Sequence, residues 1–197
     1  FVNWSFEGSH IQGFDWAKGY DWVNDKGEKK TGYFRYWAPG KVIEQNGTYY
    51  LYVTFVKPDE KMGTYVMIAD RPDGPFRFAE GNGLFAPGVE GVDSPFIVND
   101  IDGEPFIDDD GNGYLFWRRR LAARLSADRL HIEGEPLTMQ TARQGYSEGP
   151  LMFKRKGIYY YVYTLSGNQN YVNAYMMSRE SPLSGFVKPE GNDIFLF

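Results

Sequence analysis

The sequence predicts an all-β protein assembled from repeated four-stranded units. Three observations lead there: an aromatic content of 18%, with 15 Tyr, 15 Phe and 5 Trp; the interruption of almost every helix-length window by Gly, Pro or Asn; and one motif that comes round three times. Aromatic side chains suit the pleated, half-buried surface of a strand, and frequent breakers leave only short extended runs.

The repeats justify the elements in order. "APGKVIEQNGTYYLYVT" (38 to 54), "EPFIDDDGNGYLFW" (104 to 117) and "GPLMFKRKGIYYYVYT" (149 to 164) share a proline, a short apolar strand, a polar turn with glycine and an aromatic strand. Pro39 and Tyr49 are ten residues apart, and Pro105–Tyr114 and Pro150–Tyr159 are nine. Each is followed by a further strand and turn, in "TYVMIADRPDGPF" (64 to 76), "LAARLSADRLHIEGEP" (121 to 136) and "NAYMMSRESPLSGF" (173 to 186). A meander of about four strands over roughly 45 to 65 residues is the size of a propeller blade with insertions. One such sheet cannot hide both apolar faces, whereas sheets stacked around an axis can, and their central ends then converge on one site.

Composition sets the outer limits. With 197 residues, 42% of them hydrophobic, the chain suits one large domain or part of a larger one. A net charge of −5, from 21 basic and 26 acidic residues, gives no footprint for nucleic acid. The absence of cysteine removes disulfides, thiolate nucleophiles and zinc-thiolate sites, and leaves the compartment open. No apolar stretch approaches the roughly 18 residues of a membrane span, so no membrane partner is expected. Phe1 to Ser5 lack the charged and apolar regions of a signal peptide.

The densest acids lie in "NDIDGEPFIDDDGNG" (99 to 113). Asp108, Asp110 and Asn112 alternate as in a calcium loop, but Arg119 stands where a bidentate Glu is needed and a strand follows where a helix should exit, so a hairpin turn is expected. Asp102 and Glu148 both stand just before the repeat's proline position. Carboxylates at the same end of neighbouring blades would point to one axis, although the repeat alone leaves ordinary turn or capping roles open. "GYSEG" (145 to 149) satisfies the serine-hydrolase elbow, yet Ser147 is followed by Pro150 and a strand, and both histidines, His10 and His131, lie upstream, so a nucleophilic serine is not expected. The two histidines are too isolated to suggest a metal site. "NDKGEKK" (24 to 30) is read as a solvated loop.

In four segments the chain resembles glycoside hydrolase family 43: "VNWSFEGSH" (2 to 10), "YWAPGKVIEQNGTYYLYVT" (36 to 54), "IDGEPFIDDDGNGYLFW" (101 to 117) and "EGP" (148 to 150), in the family's order and nearly end to end. The resemblance implies a five-bladed β-propeller acting on arabinose- or xylose-containing glycans. Residues 1–197 would be a single partial catalytic domain made of middle blades, lacking portions of the first and last. By position, Glu148 would be the general acid. Asp102 would be the carboxylate that orients it and disfavours its ionisation. The family inverts configuration, which needs a second carboxylate as base to activate water; that base would lie before Phe1, so these residues alone are expected to be inactive.

The same resemblance makes Trp37 and Tyr36 candidates for a sugar-facing wall, with core packing as the alternative. Arg119, with Arg118 and Arg120, would bind a substrate hydroxyl or acidic sugar, or pair with local acids. No cofactor is implied, a central calcium ion being possible in the complete propeller. A secreted or periplasmic location is expected, and the oligomeric state is left open. A carbohydrate-binding propeller without hydrolysis is the competing expectation.

Overall fold

A computed structural model of the protein describes residues 10–11, 16–81, 95–145, 148–166 and 171–195. Among them are three four-stranded antiparallel sheets, each with its strands in chain order, matching the three sequence repeats. The first blade comprises β3 (Arg35–Gln45), β4 (Thr48–Val56), β5 (Met62–Ala69) and β6 (Arg77–Phe78). The second comprises β7 (Glu104–Ile107), β8 (Gly113–Trp117), β9 (Leu121–Leu125) and β10 (Ile132–Thr138), and the third β11 (Leu151–Arg155), β12 (Ile158–Thr164), β13 (Asn173–Ser178) and β14 (Ile194–Phe195).

The charged stretch at 24–30 is more ordered than a loop. Tyr20–Val23 (β1) and Lys29–Gly32 (β2) pair as a hairpin whose turn is tied by the Asn24 side chain, which accepts from the backbone N–H groups of Lys26 and Glu28. Its charged residues remain exposed, as the sequence suggests.

Turn chemistry sets the register. The β3–β4 and β11–β12 hairpins turn on Asn46-Gly47 and Lys156-Gly157, all four residues having positive φ, the geometry that matches strand twist in a two-residue loop. In the second blade, "DDDGN" closes the β7–β8 turn, with the Asp108 N–H donating to the Asn112 carbonyl and the Gly111 N–H to the Asp108 carbonyl. The acid side chains cap this turn, as expected of a hairpin, and Asp110 accepts from both the backbone and the side chain of Asn112.

The period-2 alternation then stacks the blades. On β4, Tyr52 faces the second blade and joins Leu115, Trp117 and Leu125, while Leu51, Val53 and Phe55 line the opposite face. On β8, Tyr114 and Phe116 turn the other way, onto Tyr159, Tyr161 and Tyr163 of β12. The middle sheet is therefore covered on both sides, and every residue of β8 is buried. Burying each such ring contributes about 2–3 kcal/mol, so the aromatic excess serves chiefly to glue blade to blade.

The run after β8 departs from strand alternation. Arg118–Arg120 form a 3₁₀ turn with Arg119 and Arg120 both at positive φ, so the three arginines do not simply point to alternate faces. Among the described residues, no helix is long and apolar enough to cross a membrane.

Candidate functional site

The first strands of the blades, β3, β7 and β11, contact one another in sequence, and the carboxylates sit where they meet. Asp102 lies two residues before β7 at φ 62. Its backbone N–H donates to Thr54 Oγ1 on β4 at 3.0 Å, and Thr64 on β5 holds the same turn by donating to the Asp100 carbonyl and accepting from the Gly103 N–H. Thr54 and Thr64 are cross-strand partners and fully buried, so the first blade builds a polar seat for the second blade's acid turn.

Glu148 is fixed from the third blade. Its carbonyl accepts from the Thr164 N–H at 3.0 Å, and the next residue, Gly149, donates its N–H to Asp102 Oδ2 at 3.0 Å. Gly149 has φ +64, a conformation that costs an ordinary L-residue energy, and the following Pro150 is buried. The Glu-Gly-Pro step is thus locked at both ends, and two acids distant in sequence become electrostatic neighbours. Burial is the largest cause of a rise in the Asp102 pKa; the Gly149 hydrogen bond opposes it, the negative charge of Glu148 adds to it, Arg118 opposes it and Asp100 adds to it.

A cavity of about 140 Å³ opens at this junction, lined among others by Ala38, Thr54, Asp102, Glu104, Gly149 and Pro150. Sequence reasoning passed over Glu104, counting it only as one of a run of acids. The available signal was its place immediately before Pro105, the repeat's proline, at the blade end where Asp102 and Glu148 also stand. Its side chain is only 12% exposed, Lys41 Nζ on β3 is 4.0 Å from its Oε1, and that oxygen has no hydrogen-bond partner among the described residues. Burial pushes its carboxyl up to about 7, against the opposing pull of Lys41.

The remaining candidates fall elsewhere. Tyr36 lines a separate apolar cavity of about 580 Å³ with Trp16, Leu51 and Phe76, its ring 5.6 Å from that of Phe55. Trp37 is 49% exposed and sits where the β3–β4 register shifts, next to the site-lining Ala38. Arg119 donates from Nε to Asp100 at 3.0 Å and is 71% exposed, while Arg118 lies 3.8 Å from the other oxygen of the same carboxylate. His10 meets the Asp73 carbonyl, and His131 lies 3.7 Å from Glu80. Ser147 and residues 1–9 lie outside the described residues. Among the described residues, no group of three or more His, Cys, Asp or Glu side chains is placed to hold a metal ion.

Four-stranded blades stacked face to face, with carboxylates gathered where their first strands meet, define a β-propeller with an axial acid site. The family model for glycosyl hydrolases family 43 matches residues 1–195. A β-D-galactofuranosidase of Aspergillus niger is 30% identical over 159 residues, covering 76% of this chain and 44% of that protein. Among solved structures, a glycoside hydrolase superposes with a TM-score of 0.71 at 39% identity, over 85% of this chain and 39% of the other. An α-L-arabinofuranosidase from Clostridium thermocellum does so with a TM-score of 0.61 at 28% identity, over 78% and 50%. The chain belongs to glycosyl hydrolases family 43 and has the five-bladed β-propeller type of fold, with three four-stranded blades among the described residues. It spans half or less of the length of each of these three relatives.

Proposed function

We propose that the protein carrying this chain is an inverting glycosidase of α-L-arabinofuranosyl or β-D-xylosyl linkages in plant-type polysaccharides or oligosaccharides. Residues 1–197 act in it as part of one β-propeller catalytic domain. Glu148 protonates the leaving glycosidic oxygen, and Asp102 holds the acid segment in place. The water-activating base of this reading comes from outside residues 1–197.

The observation that carries the reading is the hydrogen bond from Gly149 to Asp102, which ties the residue next to the proton donor to the neighbouring acid. Proton transfer needs placement within hydrogen-bond reach, and a Gly-Pro step fastened on both sides supplies it. The names of the relatives support a glycosidase, and that of the α-L-arabinofuranosidase supports the arabinofuranosyl linkage.

The test is hydrolysis of α-1,5-arabinobiose and xylobiose by the intact protein, since a sugar leaving group needs its oxygen protonated. Glu148→Gln should lower kcat by about 10³-fold, within the range of general-acid contributions, and leave sugar binding nearly unchanged. Turnover that survives the substitution rules out Glu148 as the acid. Tight sugar binding without turnover on either substrate would favour a non-catalytic carbohydrate-binding propeller.

A further inference from the structure

We propose that Glu104 is a substrate-positioning residue: its carboxyl binds a hydroxyl of the sugar seated in the cavity beside Asp102, and Lys41 is the group that withdraws it. The inference rests on the glycosidase reading for its ligand class, and on the geometry of three residues for everything else.

Glu104 opens β7, two residues beyond Asp102, and both line the same cavity of about 140 Å³. The rest of that lining is small, including Ala38, Gly103, Gly149 and Pro150, with Thr54 already engaged by the Asp102 N–H. Asp102 in turn spends Oδ2 on Gly149. Glu104 is the contrast, because its Oε1 is sealed from solvent and has no hydrogen-bond partner among the described residues. A buried carboxyl oxygen in that condition is costly as an anion and calls for a hydroxyl partner when neutral. A protonated carboxyl can donate one hydrogen bond and accept others, the combination a ring hydroxyl can meet.

Lys41 supplies the alternative state. Its Nζ stands 4.0 Å from Oε1, at the outer limit of an ion pair and beyond hydrogen-bond length. Ionised, Glu104 would be drawn to Lys41 and would add a negative charge to a cavity that already holds Asp102. Neutral, it is free to meet a sugar. The charged groups around this arrangement are Lys41 on β3, Asp102 on the turn before β7 and Glu148 before β11, with Arg118 and Asp100 acting on Asp102. Burial favours the neutral form up to about pH 7 and Lys41 opposes it, so sugar binding should weaken as pH rises through neutrality.

The experiment measures calorimetric binding of xylobiose and of α-1,5-arabinobiose to the intact protein carrying Glu148→Gln, so that turnover does not enter, at pH values from about 5 to about 9 around the expected transition. The parent protein should lose about tenfold in affinity across neutrality, the scale of one hydrogen bond to a charged or buried group. Glu104→Gln should bind with no such fall, because the amide cannot ionise. Lys41→Met should move the midpoint to higher pH, because the cation that lowers it is gone. Glu104→Ala should bind about tenfold more weakly even at low pH.

A Glu104→Gln protein that keeps the parent's pH dependence overturns the proposal, and so does a Lys41→Met protein whose midpoint does not move. If hydrolysis by the otherwise unmodified protein survives Glu148→Gln, the assignment of the acid fails while these binding comparisons still decide the role of Glu104. Failure of both sugars to bind the parent at any pH overturns both readings.

Discussion

The backbone N–H of Gly149, in the third blade, donates a hydrogen bond to Asp102 Oδ2, in the second, across 3.0 Å. The two residues are separated by 47 positions in the chain. The bond explains why a Gly-Pro step follows Glu148: glycine adopts the positive φ that aims its N–H at the acid, and proline stiffens the exit into β11.

Gly149→Ala tests that relationship. An added Cβ would lie 3.0 Å from Thr164 Oγ1 and would have to adopt φ +64. The expected loss is about 1–2 kcal/mol of stability from the left-handed conformation, read by chemical denaturation. Hydrolysis by the intact protein should fall further than stability does, because the proton donor is adjacent. Equal activity in a stably folded variant would show that the acid does not depend on this placement.

Glu148→Gln should lower the pKa of Asp102. Burial is the largest cause of its elevation, and the charge of Glu148 adds to it, so removing that charge leaves the burial effect and takes away the repulsion. Carboxyl carbon NMR with site-specific assignment follows Asp102 directly. An unchanged titration would mean that the two acids do not sense each other.

Glu104 makes a stability prediction independent of any ligand. Its folded pKa, about 7, is raised above the ordinary 4.5. The unfolded chain therefore ionises first, so stability is highest at acid pH, falls between those two values and stays low above them. A rise of that size corresponds to at most about 3 kcal/mol. Thermal unfolding should show Glu104→Gln gaining on the parent at about pH 8 and not at about pH 4. A gain that is the same at both would remove the ionisation of Glu104 as its cause.

The second and third blades share a different lock. Asp108, 8% exposed, accepts from Lys154 Nζ at 2.7 Å and from the Tyr159 hydroxyl at 2.6 Å. Burial alone would raise this carboxyl, but the bonds from Lys154 and Tyr159 outweigh it and hold it below the usual range. Its contribution is therefore present above the unfolded pKa and is lost as pH falls through the folded one. Tyr159→Phe should cost about 1.5 kcal/mol near neutrality, the scale of a hydrogen bond to a charged group, and progressively less as Asp108 protonates. A cost that did not shrink in acid would assign the loss to packing of the ring instead.

Much of the architecture is legible in one dimension. Proline, apolar run, glycine turn and aromatic strand recur because each blade solves the same local problem, and alternation along β4 and β8 says which side chains face which neighbour. Gly47 and Gly157 mark hairpins because few other residues accept those turns. The three arginines after Trp117 escaped this logic, because positive φ at Arg119 and Arg120 is not encoded by side-chain pattern.

The sequence by itself determined the all-β class, the three blades, their turns and the two acids set before equivalent prolines, because these follow from local periodicity and backbone preference. Only the tertiary structure decided that Gly149 reaches Asp102, that Thr54 and Thr64 seat the acid turn from another blade, and that Glu104 is buried beside Lys41 with no hydrogen bond to its inner oxygen among the described residues. Those properties depend on distance and on the removal of water between segments far apart in the chain, and neither quantity exists until the blades have stacked.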